Sequence, residues 1–187
     1  MTDLVVEKGY RGASLDAICE RAGYSRGAFH AHFGSRDELM LASLERHLDE
    51  EVSKIDAVLK DTISVEELPN RLSRYYAAGP NRVKWCMLQI EFQLYAAREE
   101  ELAGQFDELL RGFRERIAER IERTFEAKIK LPVSALDLAA VLLAISYGTA
   151  LQRATDTRIS GKAASWGISS LVGQLVTQQK QAPVQKK

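Results

Sequence analysis

The 187-residue sequence predicts an all-α fold: an N-terminal helix-turn-helix head followed by a larger helical body. Three observations carry that expectation. Apolar residues recur at intervals of three and four along most of the chain, and no run alternates at two. Proline is scarce, with only four residues, which favours long helices over a loop-rich sandwich. A serine followed three residues later by glutamate stands twice before an apolar-periodic run, at Ser35 with Glu38 and Ser64 with Glu67, the pattern of a helix capping box.

The elements follow in order. Ser14 is placed to cap a helix whose apolar positions are Leu15, Ile18, Cys19 and Ala22, and Gly23 supplies the left-handed residue that ends it. Ser25 caps a second short helix in which Phe29 and Phe33, four apart, share a buried face. Arg26, Gly27, Ala28, His30 and Ala31 are left on its outer face. Two capped helices around a glycine turn describe either a helix-turn-helix, whose second helix enters a DNA major groove, or an ordinary helical hairpin.

Beyond the head, Arg36 to about Lys60 carries Leu41, Leu44, Leu48, Val52, Ile55 and Leu59 as a stripe. The Ser64 box opens a helix running to Ala78, which Gly79-Pro80 stops. Further helices are expected from Arg82 to about Arg98, Leu102 to about Ala127, Ser134 to about Ala154 and Gly161 to about Gln179. The polar tail Gln178 to Lys187 reads as disordered. The resulting domains are 1–48 for the head, 49–180 for the body and 181–187 for the tail.

Composition excludes several classes. Cys19 and Cys86 stand in apolar helical contexts without metal-ligand spacing, so they read as reduced core thiols, with no metal site and no cofactor. No nucleophile motif or phosphate loop suggests an enzyme. The N-terminus has no basic-then-apolar signal segment, and the longest apolar stretch, Leu138 to Leu151, is short for a bilayer. These features point to a cytoplasmic protein with no membrane role. Charge fits DNA less well: Met1 to Leu48 holds six basic and seven acidic residues. A positive field there would rest on Arg26, Arg36 and the three histidines, His30, His32 and His47.

The segment from Glu7 to Leu39, EKGYRGASLDAICERAGYSRGAFHAHFGSRDEL, closely resembles the DNA-binding domain of the tetracycline-repressor (TetR/AcrR) family of bacterial transcriptional regulators. The resemblance is continuous through the G-Y, the A-G-x-S-[KR]-G turn, the x-H-F ending and the following S-[KR]-x-E-L. It implies an all-α homodimer that binds a two-fold symmetric double-stranded DNA operator, most often as a repressor, under control of a small-molecule effector. Carried over position by position, it implies DNA contacts by Ser14, Ser25, Arg26, Gly27, Ala28, His30, His32 and Arg36. Arg26 is placed to reach guanine O6 and N7, and His32 and Arg36 to reach phosphate. For Ser14 and Ser25, capping alone is an equal reading. His30 stands where relatives most often have tyrosine, which shortens its reach. Asp16 faces outward near the DNA, where it would repel phosphate or accept from cytosine N4.

In the body, Trp85, Gln89, Phe92, Gln93 and Tyr95 place aromatics beside amides on one helix, and Phe106, Phe113 and Tyr147 can face them. That combination suits an effector pocket, but it is also what a packed core with glutamines at its edge looks like, and for any one of these residues the core reading stands ahead. The helix around Leu138, Val141, Leu142 and Ile145 is apolar all round, so one neighbour does not cover it. A dimer interface is expected at Leu138, Leu142, Ile145, Gly148, Ile168, Leu171 and Leu175, the alternative being burial within one subunit. Finally, family heads begin with a first helix of some fifteen residues, whereas here only Met1-Thr2-Asp3 precede the matching Leu4 to Tyr10. The expectation is an N-terminally incomplete head that binds operator weakly. The alternative function is a ligand-binding or adaptor dimer with impaired DNA binding.

Overall fold

The structure, a computed structural model, describes residues 2–60, 64–77, 81–125 and 130–181. They form helices α1 (Thr2–Gly12), α2 (Leu15–Ala22), α3 (Arg26–His30), α4 (Arg36–Lys60), α5 (Leu68–Ala77), α6 (Asn81–Ala96), α7 (Glu100–Phe125), α8 (Ala135–Thr155) and α9 (Ala163–Gln181), with a 3-10 turn at Val65–Glu67 before α5. No strand occurs among the described residues. The all-α expectation holds, and helix bounds agree with the sequence reading to within about two residues at most ends, the usual precision of such limits.

Three local expectations differ. The second helix of the head ends at His30, short of Phe33, and a turn follows. Ser64 forms no side-chain cap, and Pro69, just inside α5, starts that helix instead. Gln178 to Gln181 belong to α9, not to a tail. The Gly79-Pro80 stop and residues 182–187 lie outside the described residues.

Two compact units divide the chain: Met1–Glu50 with Pro80–Gly112, and Glu51–Gly79 with Phe113–Lys187. This differs from a boundary at residue 48, because α6 and the first half of α7 cluster with the head. The reason lies in Tyr10. It is 2% exposed, its ring meets Phe92 edge-on at 4.9 Å and Tyr95 at 4.9 Å, and Phe92 in turn meets Phe106 at 5.5 Å. Leu4, Val5, Met40, Leu44, Leu48 and Leu88 complete this core. Each such side chain contributes about 1.5–3 kcal/mol when removed from water, so the head is closed by α6 as much as by its own helices.

In the second unit α5 packs on α9, with Ser73 Oγ and Ser165 Oγ 2.9 Å apart, and α8 packs on α9. A Cβ at Gly167 would stand 3.3 Å from Ile145 Cγ2, so a small residue there lets the two helices approach. The core contains Leu68, Leu72, Phe113, Ile117, Leu138, Leu142, Ile168 and Val172. One helix, α8, is longer than the apolar stretch read from sequence and is long and apolar enough by composition to cross a membrane, with a mean hydropathy of 1.5 over 18 residues. Its Leu138, Ala139, Leu142 and Ala150 are nevertheless buried against protein.

Candidate nucleic-acid interface

The two capped helices form as their serines dictate. Ser14 Oγ accepts from the Ala17 amide at 3.3 Å and Ser25 Oγ from the Ala28 amide at 3.1 Å, so both serines cap their helices. Gly23 ends α2 in the left-handed region (φ 72, ψ 24), and the Tyr24 amide donates to Cys19 O at 3.0 Å. Phe29 is buried and Phe33 half-buried, their rings 5.7 Å apart. The pair pins α3 inward and turns Arg26, Gly27, His30, Ala31 and His32 to solvent, with Ala28 half-buried. After the turn, Ser35 Oγ accepts from the Glu38 amide at 3.0 Å, while Glu38 Oε2 reaches back to the Gly34 amide at 2.6 Å. The capping box therefore closes one residue earlier than the sequence placed it.

Two residues have employments other than those expected. Arg36 is half-buried: its Nη1 donates to Tyr10 O at 3.0 Å and Ala13 O at 2.9 Å, and its guanidinium stacks 4.2 Å from the centre of the Tyr10 ring. It thereby ties α4 to α1 and to the residue preceding the Ser14 cap, a structural role beside the phosphate contact expected of it. Arg26 is held by Asp16 in a two-point fork, Nε to Oδ1 and Nη2 to Oδ2, with both side chains 63% exposed. The hydrogen bond and charge of Arg26 lower the Asp16 carboxyl below its usual range, and Asp16 raises Arg26 in return. Asp16 thus stands beside Arg26 rather than alone on the outer face.

Other basic side chains near the head are also paired with acids. Arg21 forks onto Glu7 at 3.2 and 3.0 Å, Lys84 meets Asp3 at 2.7 Å, and Arg46 meets Glu50 at 3.2 Å. His47 does not join the outer face; its ring stacks on Trp85 at 4.0 Å and 5°. One exposed residue escaped the sequence reading: Tyr24, 68% exposed in the turn between α2 and α3. An aromatic set between Gly23 and a capping serine has no helical face to join, and that was the available signal.

The residues expected around an effector fall in both compact units. Gln89, Phe92 and Phe106 are buried in the first unit's core, Trp85 packs on His47, and Gln93 is exposed. Phe113 is buried in the second unit and Tyr147 half-buried there. Of this group, Phe92 and Tyr95 pack against the Tyr10 ring. An apolar cavity of about 50 Å³ lies within the second unit, lined by Ile55, Leu59, Leu68, Leu72, Tyr76, Ile117, Arg120, Ile121, Thr124, Phe125, Leu138, Leu142, Leu143, Ile168 and Val172. Its one charged lining group, Arg120, is satisfied by Asp56 at 2.9 and 3.0 Å and by Arg116 O at 2.9 Å. A more open cleft bounded by Lys60, Ser64 and Arg123 shares Leu59, Arg120 and Thr124 with it.

The expected dimer residues divide. Leu138, Leu142, Ile168 and Leu175 are buried within the subunit, and Ile145, Gly148 and Leu171 are half-buried. The open face of α8 is the stripe Leu136, Ala140, Val141, Ala144 and Leu151, and α9 exposes Trp166 at 72%. Sequence periodicity did not say which side of an all-round apolar helix would be covered by α9.

This arrangement of head and helical body agrees with the comparisons. The family profile described as "Bacterial regulatory proteins, tetR family" matches residues 2–43. The chain is 41% identical over 61 residues to the HTH-type transcriptional activator FasR of Mycolicibacterium smegmatis, covering 33% of this chain and 28% of that protein. It is 28% identical over 117 residues to the HTH-type transcriptional repressor AcnR of Corynebacterium diphtheriae, covering 63% and 57%. The chain thus matches about a quarter to just over half of these relatives' lengths. A crystal structure of a putative TetR-family transcriptional regulator from Rhodococcus sp. superposes with a TM-score of 0.76 at 19% identity, covering 94% of this chain and 93% of that one. FadR from Bacillus subtilis, solved in complex with stearoyl-CoA, gives 0.70 at 15% identity, covering 91% and 92%. Residues 2–43 thus resemble the DNA-binding segment of the TetR/AcrR family, and the chain as a whole shares its fold with the TetR-family structures.

Proposed function

We propose that the chain is a cytoplasmic, ligand-responsive transcriptional repressor that binds a two-fold symmetric DNA operator as a homodimer. The carrying observation is the capped helix-turn-helix whose second helix buries Phe29 and presents Arg26, Gly27 and His30 to solvent, with His32 and Tyr24 on either side. Two heads related by a dyad read two half-sites about one helical turn apart. The dimer surface is the Val141, Ala144, Leu151 and Trp166 face of α8 and α9, too apolar to remain in water. The effector is an apolar molecule that widens the cavity around Leu72, Leu142 and Ile168, and acyl chains are the first probes to try, since FadR was solved with stearoyl-CoA.

Selection of the full chain against a random double-stranded DNA library tests the reading. A palindromic motif whose enrichment needs Arg26 supports it, and failure to enrich any motif refutes it. The second reading, a ligand-binding dimer without operator, draws on the acids paired with Arg21 and Arg26. It predicts dimerisation and effector binding with no enriched DNA.

A further inference from the structure

We propose that Asp16 is a specificity-determining residue, which holds Arg26 side-on so that its outer edge meets a single guanine. The inference rests on the DNA-binding reading above and goes beyond it by naming how one base is chosen. A guanidinium carries five N–H donors on three nitrogens. Asp16 takes the Nε edge, engaging Nε and Nη2 with its two carboxylate oxygens. Both hydrogens of Nη1 and the second hydrogen of Nη2 remain, and they lie on the end of the fork. Guanine presents O6 and N7 side by side in the major groove, and that end edge matches the pair with two parallel bonds.

The fold does not need the pair. Both side chains are 63% exposed, and Asp16 and Arg26 belong to different helices of the head. Exposed ion pairs of this kind contribute little to stability. What the pair does change is the arginine. An unpaired Arg26 samples many rotamers and finds any phosphate within reach, which adds affinity for all sequences alike. A paired Arg26 presents less net charge toward phosphate and fewer rotamers, so a rigid two-point acceptor suits it best. Asp16 therefore trades general affinity for base choice, which gives the near-neutral head a function consistent with reading DNA.

The test is random-library selection with the full chain, its Asp16→Ala and Asp16→Asn variants, and Arg26→Ala as the marker of the guanine position. Thermal unfolding of both Asp16 variants should match the parent. The parent should enrich a motif containing a guanine that Arg26→Ala loses. At that position, Asp16→Ala should reduce the preference for guanine about tenfold while leaving other positions intact. Binding of the same variant to unrelated DNA should tighten, with a salt dependence steeper by about one unit. Unchanged guanine preference in both Asp16 variants overturns the proposal. Equal tightening on every sequence also overturns it, making Asp16 a simple repulsive charge. A parent that enriches no motif removes the DNA-binding reading itself and this inference with it, whereas an enriched motif with Asp16-independent guanine removes the inference alone.

Discussion

Substituting Gly9 should damage the head far more than substituting Gly23, although both glycines have φ of 72°. The difference is in ψ. Gly23, at ψ 24, lies in the ordinary left-handed well that ends helices, and nothing stands within 4 Å of where a Cβ would sit. Asparagine visits that well readily, so Gly23→Asn should change stability by less than about 1 kcal/mol. Gly9, at ψ 159, lies in a region that only glycine occupies without strain, at a cost of about 1–3 kcal/mol for any other residue. A less flexible unfolded chain offsets about 0.4–1 kcal/mol of this, leaving a net loss of about 1–2 kcal/mol.

The added Cβ would also stand 3.4 Å from Glu91 Oε2, which accepts from the Tyr10 amide at 2.7 Å. That is contact rather than clash, so backbone strain dominates the estimate. For a chain of this size the loss corresponds to roughly 2–8 °C in Tm. Urea and thermal unfolding followed by circular dichroism measure it, with Gly9→Ala, Gly9→Asn and Gly23→Asn side by side. If Gly9→Asn is tolerated as well as Gly23→Asn, the kink in α1 is not the strained element described here.

Tyr10 gives a pH test. Burial first, and then its hydrogen bond to Asp37 at 2.5 Å, push its phenol well above the usual 10. A raised folded value means the stabilisation is whole below pH 10 and is lost as pH climbs beyond it toward the folded value. Parent protein should thus lose stability above pH 10 more steeply than Tyr10→Phe, as urea titrations at pH 8 to 11 will show. At α8 and α9, Val141→Glu combined with Trp166→Glu should yield monomers by sedimentation with helicity retained; an unchanged mass would rule out this face as the interface. Leu142→Ala, at the cavity wall, should cost about 2–5 kcal/mol in urea unfolding by enlarging a void that exists already. Arg36→Ala should destabilise the head in amide exchange around Tyr10 and Ala13, and a variant as protected as the parent would return Arg36 to the phosphates.

The fold was readable because its signals are local. Ser14, Ser25 and Ser35 sit within three residues of the amides they cap, Gly23 within four of the carbonyls it closes, and Phe29 and Phe33 fix a face by spacing alone. Roles decided across the chain were not readable. Arg36 and Arg26 have identical chemistry, yet one meets carbonyls 26 and 23 positions away and the other meets Asp16. Nothing in the periodicity of the α6 aromatics announces that Tyr10 comes from another helix to pack on Phe92 and Tyr95. The cavity in the second unit draws on α4, α5, α7, α8 and α9, and its Leu138, Leu142 and Ile168 are residues whose spacing suited a dimer interface equally well. On α8 the sequence offered two apolar faces of similar quality, and only the position of α9 tells them apart.

Tyr10 also explains why α6 clusters with the head. Its amide is accepted by Glu91 of α6, its hydroxyl and that of Tyr95 both donate to Asp37 of α4, and its carbonyl is held by Arg36. The kink at Gly9 is what frees the Tyr10 amide for Glu91, since an unbroken helix would engage that amide four residues back. A displacement of α6 by a fraction of a hydrogen-bond length thus acts on α1 through Glu91 and on α4 through Asp37 together. Arg36 bonds both Tyr10 O and Ala13 O, and Ala13 immediately precedes the Ser14 cap of α2. The chain of contacts from α6 to the residue before the first helix of the helix-turn-helix therefore runs through a buried tyrosine and one arginine.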